Sequence, residues 1–442
     1  MSGGSVKSMA IAERAWIDAL AAITAGSDAR AAALAAFAET GLPDRRREGW
    51  RWTDLNPLRE GGFTTPAPRF TGTVASDLLS GPFAISRGFR LVFVNGYFRQ
   101  DLSDIASLPD GVTLGSLAEA GEQCVSFGRD IGGADTGFSL LNQAGATDGA
   151  LIRVGAGVTL SQPVHLHFVN MDSGCHMQTQ IKVELGAGAQ ACLLETHRGA
   201  AGTACFTNQL ATVTLAEGAR LDHYRLQEEA ADSFHFRDLR AALARQAGYE
   251  SFTLTTGARL SRNSGFIRFD GEGAQCGYHG AYLLSGTQQA DTVTQLQHVA
   301  PDCTSAQNFR GALDDRARGT FQGCITVEKP AQRTDARQSI KALLLSPRAE
   351  QDAKPELEIF ADDVKCAHGA STGNLDPDAL FYLRARGVPQ AQARALLIGA
   401  FVSEVLDDLA AATLPPDEAG QLKDSLHARM QAWLAGNGTG GR

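Results

Sequence analysis

The chain has few of the features that announce a function. None of its eight cysteines, at 124, 175, 192, 205, 276, 303, 324 and 366, stands in a CxxC pair. That excludes a recognisable closed zinc site or a self-contained four-cysteine cluster site. With no export signal expected at the N-terminus, it also favours reduced thiols, most of them small buried apolar residues, over a disulfide framework. There is no GxxxxGK[ST] loop to cradle a phosphate, no GxGxxG after a strand, no HExxH and no GxSxG elbow. Positive charge is short: 40 Lys and Arg against 49 Asp and Glu give a net charge of −9 and a pI near 5.6. Nucleic-acid binding through a basic footprint is therefore not expected. Long apolar runs are missing as well. The best, "LLIGAFV" at 396–402, falls well short of the roughly 18–20 residues of a membrane span. The opening "MSGGSVKSMAIAERAWIDALAAITAG" reads as an amphipathic helix rather than a signal peptide. These absences lead to the expectation of a soluble, cytoplasmic protein with no membrane and no nucleic-acid partner.

What is present suggests two or three domains in 442 residues, with 43% hydrophobic residues to build a sizeable core. Residues 5–60 read as helical, with Ser27 or Asp28 as an N-cap and Gly41 as a stop. The segment "RRREGWRWTDLNPL" (45–58) is basic and aromatic together. It could be a docking segment, but arginine stems covering tryptophan faces is the preferred reading.

From about 73 to 370 helical periodicity disappears. Short β-rich pieces recur between Gly-Ala pairs, as in "GAGAQACLLETH" (186–197), "EGARLDHYRLQ" (217–227) and "EGAQCGYHGAYLL" (272–284). Glycine tolerates positive φ and so marks tight corners. The spacing is irregular, so there is no strict repeat. In "GTFQGCITVE", Phe321, Gly323, Ile325 and Val327 share one face, and Gln322, Cys324, Thr326 and Glu328 share the other. Alternation of period two predicts a half-buried strand. A solenoid of stacked coils and a two-sheet sandwich both fit this pattern; with no helices between the strands, a doubly wound α/β fold does not. "HLH" at 165–167 puts two histidines on one strand face, which is more often packing than metal binding.

After 375 helices return. Asp376 is an N-cap, Pro377 the first helical residue and Gly387 a stop. Leu396, Leu397, Phe401, Val405, Leu406 and Leu409 form an apolar stripe on the next helix. Leu422, Leu426, Met430 and Trp433 form one on the last, and the tail "GNGTGGR" is expected to be disordered. Packing among the helices and an interaction surface both account for the stripes.

One short stretch carries chemistry: "DDVKCAHGA", 362–370. In an extended chain Val364, Cys366 and His368 share a face, with the thiol and imidazole about 6.5–7 Å apart along the strand. Both are ligands suited to iron or zinc. Two ligands do not close a site, so either another chain completes it or there is none. Asp362 and Asp363 read as turn residues.

Five stretches, "EGWRWTDL" (48–55), "LVFVNGYF" (91–98), "RTDARQSIKALLLS" (333–346), "PELEIFADDVKCAHGAS" (355–371) and "LFYLRARG" (380–387), resemble the SufB/SufD family of the SUF iron–sulfur cluster assembly system. The resemblance runs from about 48 to 410 and lies on the SufD side. Ser339, after Gln338, stands where SufB has a cysteine, and Ala367-His368-Gly369-Ala370 where SufB has Glu-His-Glu-Ala.

The resemblance implies a mainly β fold: a right-handed parallel β-helix (solenoid) core flanked by N-terminal and C-terminal α-helical regions. The expected divisions are 1–72, 73–375 and 376–442. It implies pairing with a SufB paralogue through the β-helices and docking of the SufC ABC-type ATPase on the C-terminal helices, 376–412. There Phe381, Tyr382, Arg384, Arg386, Leu397 and Phe401 are the candidate partner-binding residues. It makes His368, with Cys366 beside it, the candidate metal ligands of a nascent cluster site shared with SufB. The cofactor would be transient iron or an iron–sulfur cluster, none held tightly by this chain alone, with reduced flavin a further candidate in the complex. A homodimer of the isolated chain is open, since a β-helix edge permits it. Two rivals remain: a β-helix carbohydrate lyase or hydrolase, and a purely structural subunit in which His368 only packs.

Overall fold

The structure, a computed structural model, describes residues 10–24, 26–80, 83, 85, 87–121, 131–133, 136–200 and 202–437. Cys124 and the chain after 437 lie outside the described residues. Two ten-stranded sheets face each other, and from Asp148 onward the chain alternates between them strand by strand. Successive strands of one sheet are parallel and in register: Phe206 pairs with Phe234, Phe234 with Leu260, Leu260 with Gln289 and Gln289 with Arg318. The result is a β-solenoid of about eight turns. The sandwich alternative fails because its strands would pair antiparallel.

Three of the Gly-Ala pairs, Gly188-Ala189, Gly218-Ala219 and Gly273-Ala274, form the same corner of different coils, whereas Gly257-Ala258 lies at another corner and Gly311-Ala312 inside a strand. At this corner the backbone is left-handed: Gly157, Gly188, Gly218, Gln246, Gly273, Asp302 and Arg333 all have φ between +54° and +72°, the last six each two residues before a strand of the second sheet. Each N–H there donates to a carbonyl on the next coil, as from Gly188 to Glu217 at 2.8 Å, Gly218 to Arg245 at 2.9 Å and Asp302 to Gln332 at 2.9 Å. The following residue is buried and small where the coils are tightest: Ala189, Ala219, Ala247, Ala274 and Cys303. Glycine suits the left-handed position, and a small side chain lets the coils stack at strand spacing. The repeat is hidden in the sequence because Gln246, Asp302 and Arg333 take glycine's place.

Alternate residues fill the lumen. Phe321, Ile325 and Val327 are in its apolar core, as period two requires, and Cys324 lies on the other face beside the Thr326 hydroxyl. Helices clothe the outside. Ile11–Thr24 and Asp28–Thr40 bury Trp16, Leu20 and Phe37 against Phe206, Phe234 and Phe236 of the first sheet. Each such ring contributes about 2–3 kcal/mol by leaving water. Gly41 ends the second helix with its N–H on the Phe37 carbonyl at 2.7 Å. Within 73–370, where no helical periodicity was read, Gly137–Gly145 is a helix with a Thr136–Ser139 capping box. It is only nine residues long and buried on every side, too short a window for its apolar period to stand out between strands. Trp50 is covered as expected, but by Arg262 of the solenoid, 3.7 Å above its ring, rather than by the neighbouring arginines.

On the second sheet, Gln390–Asp407 and Pro416–Asn437 bury Ile398, Val402, Val405, Leu406, Leu422, Leu426 and Met430 against Leu194, Tyr224, Phe252 and Leu283. The stripe is rotated from the one read in the sequence: Leu396 faces out at 51% exposure, and Leu434 is buried deeper than Trp433. The first helix touches both the solenoid and its neighbour, so its buried arc is wider than one stripe. No helix among the described residues is long and apolar enough to cross a membrane.

Candidate functional site

The two ends of the solenoid are built differently. At the N-terminal end Asn95 (φ +52°) and Gly96 (φ +81°) turn the chain so that Tyr97–Phe98 runs back along Phe89–Val94. That is the two-residue hairpin turn that needs positive φ twice. Val112–Ser116 likewise closes the other sheet antiparallel to Asp148–Val154. Buried Asp148 ties both caps, accepting from the Phe98 N–H at 2.9 Å and the Ser116 hydroxyl at 2.6 Å. At the C-terminal end nothing among the described residues pairs the outer edges of Glu350–Ile359 and Lys365–Gly373. Ile359 and Phe360 are 41% and 60% exposed there.

That last strand holds "CAHGA". Asp362 and Asp363 form the bend before it, the role expected of them. The strand pairs with Asp335–Leu344 so that Cys366 lies beside Ala336 and His368 beside Gln338. Val364 and Cys366 pack on the end of the lumen core, half-buried. His368, on the same face, has no further coil to cover it and is exposed. Burial raises the Cys366 thiol above its ordinary pKa, so a metal, or a partner's charge, is needed to make it a thiolate ligand. The structure thus brings Cys366 and His368 together on the open end of the lumen, and it places Ser339 on the opposite face, lining an outer groove with His279 and Asn308.

The six candidate partner residues divide. Pro377–Ala385 buries none of its residues, and Phe381 and Tyr382 are 73% and 58% exposed. Asp376 caps it by accepting from the N–H groups of Asp378 and Ala379, Pro377 opens it, and Gly387 (φ +87°) follows its end. Arg384 is exposed, and so is Arg386, whose guanidinium lies 5.2 Å from the Tyr382 ring. Leu397 is half-buried, and Phe401 packs inward, with Arg310 5.7 Å from its ring. His165 and His167 are stacked at 6.1 Å, one bonded to the Arg87 carbonyl and the other to the Thr196 hydroxyl, which is packing.

Sequence reasoning missed a buried ionic cluster. Glu195, His197, His223, Arg225, Glu229 and His235 lie in the middle of the lumen, each 3% exposed or less. Glu195 takes His197 at 2.5 Å, His223 at 2.8 Å and Arg225 at 3.2 Å. Burial would raise the Glu195 carboxyl, but the two imidazole contacts and Arg225 hold it well below the usual range. Burial pushes His235 down to about 4, so it is neutral. His197, Glu229 and His235 could reach one ion. Arg225, however, donates to His235 Nε2, which puts the ring proton on Nδ1, facing Glu229 at 2.7 Å. Two carboxylates against Arg225 and Arg237 are already balanced, so a dication would bring uncompensated charge into a dry lumen. The cluster is a structural network. Its signal was ionisable residues two apart, "ETH", "HYR" and "HFR", in the strands Gln190–Gly199, Arg220–Glu228 and Phe234–Leu243.

The class of protein is thereby defined: a helix-clothed β-solenoid, capped at one end and presenting a thiol and an imidazole on the open edge at the other. Residues 168–401 match the SufBD core domain of the SUF system for FeS cluster assembly, and 14–166 match the SufBD N-terminal region. The chain is 33% identical over 404 residues to an iron–sulfur cluster assembly SufBD family protein of Synechocystis, covering 88% of this chain and 87% of that one. It is 31% identical over 379 residues to the iron–sulfur cluster assembly protein SufD of Escherichia coli, covering 84% and 86%. A chloroplastic Arabidopsis protein, ABCI7, is 28% identical, covering 83% and 79%. The chain belongs to the SufB/SufD family of iron–sulfur cluster assembly proteins and is a homologue of SufD.

Proposed function

We propose that this chain is a non-catalytic scaffold subunit that works in the cytoplasm with a SufB paralogue and a SufC ATPase. One observation carries the reading: the uncapped last coil exposes His368, with Cys366 beside it, on an edge whose backbone is unpaired. An unpaired edge recruits a strand from another chain. A SufB solenoid docked there would face His368 and Cys366 with ligands of its own and close a site for iron or a nascent cluster, which is the cargo. The ATPase docks on Pro377–Ala385, whose Phe381 and Tyr382 rings stand exposed and pack on no core of this chain. Phe401, turned inward, links that helical unit to the solenoid. Motion at the ATPase would thereby reach the coil edge.

The test is iron and acid-labile sulfide per complex after co-expression with SufB and SufC partners, comparing wild type with His368→Ala at equal assembly. Loss of iron with the complex intact supports a shared site. Unchanged iron makes His368 structural and the chain a passive scaffold.

A further inference from the structure

The lumen is not uniformly apolar. From His368 inward, the residues in register on the same sheet are Gln338 and then Gln307. Facing them across the lumen is a column of small residues, Gly265, Thr294 and Gly323, in register on the other sheet. The small column makes room. A Cβ on Gly323 would collide with the Gln338 carboxamide, and one on Gly265 would collide with the Tyr278 hydroxyl. The long polar side chains therefore reach across to the opposite backbone.

Both Gln338 and Gln307 are 2% exposed. Neither carboxamide has a hydrogen-bond partner for its nitrogen or its oxygen, and the Thr294 hydroxyl between them has none either. A carboxamide carries two donors and can accept twice. Buried polar groups left empty are costly, and native proteins satisfy them with water or a ligand. Leucine would fill the same space without that cost. Single buried polar atoms lack partners elsewhere in the protein too, but here two whole carboxamides and a hydroxyl lie together. They occupy the coils directly behind His368, and strand alternation turns Gln338, not Ser339, toward that end.

We propose that Gln338, backed by Gln307, lines a polar pocket immediately behind His368, and that its amide N–H groups donate to the sulfide of the iron–sulfur cargo held there. The inference rests on the function proposed above. Gln338 acts as a positioning residue: it contributes no metal bond, and it fixes the His368 ring and the sulfide from the lumen side. Hydrogen bonds to cluster sulfur and to ligand side chains are a general means of holding such groups.

The experiment uses Gln338→Leu in the full chain and in the co-expressed complex, with His368→Ala beside it. In the lone chain the melting midpoint should stay or rise, because an unsatisfied amide is removed. The His368 ring nitrogen signals in a proton–nitrogen spectrum, assigned by their loss in His368→Ala, should shift. In the intact complex acid-labile sulfide should fall about tenfold, the lower end of what removing a supporting hydrogen bond costs a metal site. A lowered midpoint would make Gln338 an ordinary structural residue and overturn the proposal. So would sulfide retained in Gln338→Leu while His368→Ala loses it. If His368→Ala changes neither iron nor sulfide, the assembly reading falls, and the Gln338 inference is judged on the ring signals alone: unmoved signals overturn it, and shifted signals keep its contact with His368.

Discussion

The first and last coils of this solenoid meet the same problem and answer it in opposite ways. Stacked parallel coils leave an unpaired strand and a cut-off core at each end. At the N-terminal end two antiparallel strands turn back on the edges, Asp148 bolts them, and Phe93 closes the core against Phe168 at 5.0 Å and Phe98 at 5.5 Å. At the C-terminal end the edges stay bare among the described residues, Phe360 stands exposed and Cys366 is only half-buried. The capped end shows that this chain has the means to finish a solenoid. The bare end is therefore a feature rather than an inability, and the residues on it are the ones to test.

The strongest way to break the contrast is to block the open edge without touching the core. The Lys365 N–H donates back to the Thr334 carbonyl at 2.8 Å, so the even-numbered residues of this parallel strand turn their N–H groups outward. Proline at one of them removes a donor that only a partner would use. Ala370→Pro should leave the lone chain's melting midpoint within a few degrees, yet weaken pairing with a SufB partner by about 3 kcal/mol or more, over a hundredfold. Size-exclusion chromatography of the co-expressed chains reads this directly. Undiminished pairing would mean the bare edge is not the interface.

A second test sharpens the contrast through acid. His176, His279 and His298, like His235 of the central cluster, are each pushed down to about 4 by burial, whereas His368 lies in the open. For a folded-state value below the ordinary 6.5, the unfolded chain takes up protons first as pH falls. The stability these rings confer is complete above 6.5 and is lost on the way down to about 4, by up to roughly 3 kcal/mol per ring. Glu250, which burial pushes up to about 8, and Asp222, which burial also raises, work the other way, but His165, His167, His197 and His223 are lowered by burial too and leave the histidines in the majority. Urea unfolding at pH 7 and pH 5 should show the body of the solenoid weakening. A midpoint independent of pH would mean that these rings are not buried neutral.

How much of this was legible varies with how local the signal is. Asp376, Pro377 and Gly387 bound an exposed helix because caps act within one turn of chain, and they sit in the structure where the sequence put them. Period two placed Val364, Cys366 and His368 on one face for the same reason. The buried cluster from Glu195 to His235 was not legible, because its members meet only when coils stack, and single-strand periodicity says nothing about which coil lies on which. The helix stripe at 390–407 was read as one face because the solenoid it also touches could not be seen.

The corner ladder falls between these cases, and it yields the smallest effect. Four of its seven left-handed positions are glycine, and the last two, Asp302 and Arg333, pair with each other across the coils. That ion pair offsets some of the strain of positive φ. Gln246 (φ +54°), an uncharged residue, makes no such ion pair among the described residues, and its backbone N–H donation to Glu272 at 2.9 Å needs no side chain. A left-handed non-glycine costs about 1–2 kcal/mol, and glycine returns about half of that gain through the freedom it adds to the unfolded chain. Gln246→Gly should therefore stabilise the chain by about 0.5–1 kcal/mol, and Asp302→Gly, which gives up its ion pair, by less or not at all. Urea midpoints for the two variants measure the difference. If Gln246→Gly destabilises, the corner is held by its side chain, and the ladder of glycines is not the repeat that sets the coil.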